Sequence, residues 1–80
     1  MSIVWTDRAE KDARKLPNEV QTRVADALDR LYHQGHGDVR QLKGHQPSRL
    51  RLRVGDYRVI FREEGDTLLV LRVRHRKAAY

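Results

Sequence analysis

Cysteine is absent from the 80 residues, which excludes a disulfide scaffold, a thiolate nucleophile and a cysteine zinc site. No apolar run exceeds four residues, so neither a membrane span nor a secretory leader is expected, and the cytoplasm is the expected compartment. Aromatic residues are few: one Trp, one Phe and three Tyr. Trp5 and Phe61 read as core rather than as platforms for stacked bases. Acidic residues are scarce in the second half. Residues 40–80 hold eleven Lys/Arg against four Asp/Glu, whereas residues 1–39 hold six against seven. The net charge of +6 therefore comes wholly from the second half, and an anionic partner is expected to meet the chain there. A chain of this length has room for one core, so residues 1–80 are read as a single domain.

The first half carries helical periodicity. Ile3-Val4-Trp5 reads as a short first strand, with a hydrophobic staple before a helix as the alternative. Thr6 or Asp7 can cap a first helix over Asp7 to Leu16, with Glu10 as the capping-box acid and Ala9, Ala13 and Leu16 on one stripe. Pro17 cannot extend that helix but suits the first turn of another. Val20, Val24, Ala27, Leu28 and Leu31 then recur at helical spacing, and Gly35 and Gly37 supply the stop. Residues 35–48 are turn-rich and polar, and read as a connecting loop anchored by Leu42.

After Ser48 the period changes from 3.6 to 2. Leu50, Leu52 and Val54 alternate with Arg49, Arg51 and Arg53, and Gly55-Asp56 reads as a two-residue hairpin turn. Tyr57, Val59 and Phe61 alternate with Arg58, Ile60 and Arg62. A second hairpin at residues 63–66 leads to a last strand from Thr67 to about Arg74, apolar on both faces and so interior to the sheet. The expected fold class is α+β: an N-terminal strand, a two-helix hairpin, and a three-strand antiparallel meander forming a small twisted sheet with helices on one face.

Strand geometry sends successive side chains to opposite faces, so burying Leu50, Leu52 and Val54 sets Arg49, Arg51 and Arg53 together on the other. Arg58 and Arg62 join them across the turn, and Arg72, Arg74, Arg76 and Lys77 follow. Crowding of like charge costs stability, and an anion offsets that cost. Phosphodiesters suit the arrangement because guanidinium forks grip phosphate oxygens bidentately. His33, His36 and His45 lack metal-ligand spacing and read as surface residues.

The arginine strand 49–54, the Gly55-Asp56-Tyr57-Arg58 turn and the terminal His75-Arg76-Lys77-Ala78-Ala79-Tyr80 together resemble the RelE/ParE toxin superfamily of toxin–antitoxin systems, on its RelE-like side. The resemblance is strong over residues 42–80. It implies a type II toxin that cleaves mRNA in the ribosomal decoding site and is restrained by a cognate antitoxin. No metal and no organic cofactor is implied. The substrate's own 2′-hydroxyl would be the nucleophile, leaving a 2′,3′-cyclic phosphate and a free 5′-hydroxyl. By position, Arg58, Arg76 and Tyr80 match the family's catalytic arginines and tyrosine. Arg49, Arg51 and Arg53 match its basic positions, often lysines there, and with Lys77 they would hold RNA phosphates.

An arginine stays protonated, so Arg58 and Arg76 suit charge stabilisation at the pentacoordinate phosphorus rather than proton transfer. The general base must then be another group. Tyr80 is the first choice, with His75 and Lys77 as alternatives. The other function class kept open is a non-enzymatic ParE-like toxin that binds DNA gyrase, or a catalytically degenerate homologue.

Overall fold

The computed structural model describes residues 2–44 and 48–78. In chain order these form β1 (Ser2–Trp5), α1 (Asp7–Arg14), α2 (Asn18–Gln34), β2 (Asp38–Leu42), β3 (Arg49–Val54), β4 (Tyr57–Glu64) and β5 (Thr67–His75). The staple alternative for residues 3–5 is set aside, because β1 pairs in parallel with β5 from Ser2↔Thr67 to Trp5↔Val70.

Thr6 caps α1, in extended conformation, its Oγ1 accepting the Ala9 N–H at 3.1 Å. The cap is therefore Thr6 rather than Asp7, and Glu10 instead pairs with Arg14 at 3.8 Å on the exposed face. Helix α1 ends at Arg14, two residues short of the expected Leu16, which still packs against the core. Pro17 stands at the N-cap of α2. At the far end Gly35 adopts φ 70° and donates its N–H to the Leu31 carbonyl at 3.0 Å, a geometry that costs a residue without Cβ least.

The largest correction to the sequence reading lies in residues 35–48. Asp38–Leu42 is an edge strand, antiparallel to β3, rather than part of a loop. The meander thus has four antiparallel strands, and with β1 the sheet runs β1-β5-β4-β3-β2. Strand β5 lies between β1 and β4, as its two apolar faces require. Against β4 it carries an extra residue: Ile60 pairs with Arg72 but Phe61 with Val70, leaving Leu71 as a bulge.

Ala9, Val24 and Leu28 of the helices meet Leu52, Val54, Val59, Phe61, Leu68, Val70 and Val73 of the sheet in one buried cluster. Trp5 is half-buried against it and Phe61 is fully buried. Ile60 is also buried, yet by alternation it lies on the opposite face, among arginines.

Strand β1 is shorter than β5, so the edge of β5 beyond Val70 has no strand partner. Helix α1 covers it. The Thr6 N–H and Oγ1 donate to the Val70 and Leu71 carbonyls at 3.0 and 3.2 Å. Asp12 Oδ2 accepts the Val73 N–H at 3.0 Å and Arg72 Nε at 2.8 Å, while Oδ1 accepts Arg72 Nη2 at 3.3 Å. Burial pushes the Asp12 carboxyl up, but the hydrogen bonds from Arg72 and Val73 and the charges of Arg72 and Arg74 outweigh it. The group is held below its ordinary 3.8.

A carboxylate depressed in the folded state stabilises the fold fully above its unfolded value and ceases to do so as pH falls through the folded one. Asp12→Asn is accordingly expected to lower the urea unfolding free energy at neutral pH by about 2 kcal/mol, the scale of hydrogen bonds to a charged group. The gap between the two proteins should close as the pH is taken below the lowered value.

Candidate nucleic-acid interface

Sheet register determines which arginines meet. Arg53 pairs with Arg58, and Arg58 with Arg74, so three guanidinium-bearing residues lie side by side across β3, β4 and β5, with Asp38 next to Arg53 at the β2 end. The next row runs Arg40, Arg51, Ile60, Arg72. Both rows belong to the open face, since Leu52, Val54 and Val59 take the helix side.

These arginines are not equivalent. Arg51 is buried and reaches Asp38 at 3.7 Å; Arg62 is held by Glu64 at 2.6 Å; Arg72 is held by Asp12. Among the described residues Arg49, Arg53, Arg58 and Arg74 form no ion pair. Arg53 is exposed, and Arg49, Arg58 and Arg74 are partly so. Asp38, Arg40, Gln41, Leu42, Arg51, Arg53 and Arg58 line a shallow groove of about 400 Å³ beside the row.

The β3–β4 turn closes one end. Gly55 has φ 58°, whereas Asp56 does not take positive φ, the pattern of a II′ hairpin turn. Arg58 Nη1 donates to the Gly55 and Tyr57 carbonyls, each at 2.9 Å, which draws its head group toward the turn. Arg76 follows β5 and lands there too, its N–H donating to the Asp56 carbonyl at 2.7 Å and its Nη1 lying 3.8 Å from the Asp56 carboxylate. Arg58 and Arg76 thus share one turn although eighteen residues separate them in sequence.

His75 goes elsewhere. It pairs with Tyr57, level with Val54 on the helix-facing side, and its ring stands edge-on to that of Tyr57 at 5.4 Å. Its Nδ1 accepts the Lys77 N–H at 3.3 Å. His75 is therefore separated by the sheet from the Arg53-Arg58-Arg74 row, and Lys77 lies exposed beyond the strand. Tyr80 lies outside the described residues. Among those residues no group of His, Asp and Glu side chains is placed to hold a metal ion. What the arrangement can do is bind phosphate and stabilise negative charge.

Sequence reasoning placed Arg51, Arg62 and Arg72 in the open cationic field and missed the acids that engage them. Asp12 lies 60 residues from Arg72, and on a charged helix nothing marks one acid as the partner of a distant strand.

The two-helix layer on a five-strand sheet is a fold shared with chains of bacterial and archaeal toxin–antitoxin complexes. A chain of the RelB–RelE antitoxin–toxin complex from Methanococcus jannaschii matches at TM-score 0.78 and 26% identity, covering 96% of this chain and 94% of that one. The toxin–antitoxin complex RelBE2 from Mycobacterium tuberculosis matches at TM-score 0.80 and 26% identity, with 92% and 95% coverage. In sequence the chain is 27% identical over 85 residues to Toxin RelE3 of Methanocaldococcus jannaschii, spanning 100% of this chain and 96% of the relative. Residues 3–80 match the family described as ParE toxin of type II toxin–antitoxin systems, and the chain belongs to that family.

The row of like charge should make the fold sensitive to screening. With counterions about 10 Å deep at 0.1 M salt, repulsion within the row is relieved as salt is added. Urea unfolding is expected to show stability rising between about 0.02 and 0.3 M NaCl, with a visibly smaller rise in Arg53→Gln/Arg74→Gln. Equal salt responses would mean that the row carries no unneutralised repulsion.

Proposed function

We propose that this type II toxin is an endoribonuclease that cuts mRNA on the ribosome by activating the substrate's own 2′-hydroxyl. The observation that carries the reading is the row Arg53-Arg58-Arg74, free of ion pairs among the described residues and joined at the β3–β4 turn by Arg76. Adjacent like charges cost the fold on the order of 0.2–1 kcal/mol per pair, so three in line favour a function that supplies an anion. The similarity to Toxin RelE3 and to RelE chains in complexes points the same way.

In the proposed reaction the 2′-oxygen forms a bond to phosphorus as the bond to the 5′-oxygen breaks, and the departing 5′-oxygen takes a proton from water, yielding a 2′,3′-cyclic phosphate and a 5′-hydroxyl. Charge accumulates on the non-bridging oxygens at the midpoint, and Arg58 and Arg76 stabilise it. Arg49, Arg53 and Lys77 hold flanking phosphates, while Arg51, buried against Asp38, supports the groove from below. The 2′-proton must leave to a base, and Tyr80 is assigned that role, since His75 lies across the sheet from the row. No metal or organic cofactor enters the scheme.

Restraint by a cognate antitoxin follows from the RelB–RelE complexes, in which antitoxin accompanies a toxin of this fold. An acidic segment laid over the open face would screen the arginines and exclude RNA. Cytoplasmic action on ribosomes is part of the same proposal, and none of the described helices is long and apolar enough to cross a membrane. The family's ParE description favours one other reading, inhibition of DNA gyrase without cleavage of RNA.

One experiment separates the two. Purified toxin added to a cell-free translation extract is expected to produce discrete mRNA breaks by primer extension, and Arg58→Gln or Arg76→Gln should reduce their rate by roughly 100-fold, the usual cost of removing one preorganised donor. Tyr80→Phe should slow cutting while RNA binding persists. Intact mRNA together with loss of gyrase supercoiling activity would establish the alternative.

A further inference from the structure

Gly55 is where the open face of the sheet meets the helix layer. A Cβ on this residue would lie 2.7 Å from Nη2 of Arg23, 3.4 Å from its Cζ and 3.6 Å from its Nη1. The Arg23 guanidinium, carried by α2, therefore fills the space a side chain would need. Glycine is required here by its φ of 58°, while the contact at the Cβ position is with the far end of the flexible Arg23 side chain. The carbonyl of the same glycine accepts Arg58 Nη1 at 2.9 Å. Guanidiniums from opposite sides of the sheet thus touch one residue, and by ordinary backbone dimensions their nearest nitrogens are at most about 9 Å apart.

Arg76 stands at the next residue, against Asp56. Three arginines accordingly surround a two-residue turn whose only carboxylate is Asp56, and that group sits 3.8 Å from Arg76. Arg23 forms no ion pair among the described residues. Its guanidinium, on an exposed residue, lies against the same turn that Arg58 and Arg76 reach.

We propose that Arg23 is a phosphate-binding residue of the RNA site, carrying the arginine row around the Gly55-Asp56 turn and onto α2. A single-stranded RNA backbone crossing the turn is then gripped from the sheet side by Arg58 and Arg76 and from the helix side by Arg23. Each guanidinium offers a paired N–H edge that fits phosphate oxygens. The inference rests on the RNA-cleaving reading above and extends its site to an element that reading does not use.

Full-length toxin is titrated into a fluorescein-labelled single-stranded RNA carrying 2′-O-methyl groups throughout, which cannot be cleaved, and anisotropy gives the affinity at several salt concentrations. Each phosphate contact on a single strand contributes about 0.7 to the slope of log K against log salt. Arg23→Gln is expected to make the slope shallower by about that amount and to weaken binding several-fold at low salt. Arg30→Gln removes the same charge from an exposed position two turns farther along α2 and should keep the original slope. An unchanged slope in Arg23→Gln, or equal losses in both variants, overturns the inference while leaving the RNA-cleaving reading intact. Failure of the unsubstituted toxin to bind the RNA overturns the inference as well, whereas the RNA-cleaving reading is decided by the translation extract.

Discussion

The twofold alternation of the β-strands is the constraint on which the rest of this molecule depends. Once Leu52, Val54, Val59 and Phe61 are committed to the core, Arg53 and Arg58 have no choice but the other face. The II′ turn at Gly55-Asp56 then sets them opposite one another, and the β4–β5 register adds Arg74. A slip of one residue in either hairpin would bury these charges, so the register that makes the core also makes the cationic row. Packing and function are held by the same backbone pairing.

Charge on the open face is sorted by its neighbours. Acids from β2, β4 and α1 take up Arg51, Arg62 and Arg72, and in doing so they stiffen the sheet and close the bare edge of β5. Of the arginines without an ion pair among the described residues, Arg53, Arg58 and Arg74 lie nearest the β3–β4 turn, where Arg58 and Arg76 meet, and Arg49 lies at the other end of β3. A uniform cationic surface would attract any polyanion. One in which several arginines are already engaged concentrates its attraction at a single end of the sheet.

Much of this was legible in the sequence because it depends on local periodicity. The switch from 3.6 to 2 at Ser48 placed β3, β4 and β5, and Pro17 and Gly35 bounded α2 within a residue or so. Strand β2 was not legible: it is an edge strand in which Val39 packs against the core but Gln41, two residues on, is polar and exposed, so the alternation fails. The Asp12–Arg72 contact and the packing of Arg23 on Gly55 were hidden for another reason. Both join helix to sheet across long stretches of chain, and a charged helix residue reads as solvent-facing until the fold brings a partner to it. Of the catalytic triad expected from the family resemblance, Arg58 and Arg76 come together, whereas Tyr80 lies outside the described residues.

The central claim is that the fold tolerates the Arg53-Arg58-Arg74 row because RNA phosphate compensates it. The most direct measurement is the thermal midpoint of the toxin with and without a saturating, uncleavable 2′-O-methyl RNA, compared between the natural chain and one in which all three arginines are glutamine. Ligand at about 100 times its dissociation constant stabilises the native state by about 2.7 kcal/mol, several degrees for a domain of this size. The account predicts that rise for the natural chain and little or none for the substituted one. An equal rise in both would contradict it.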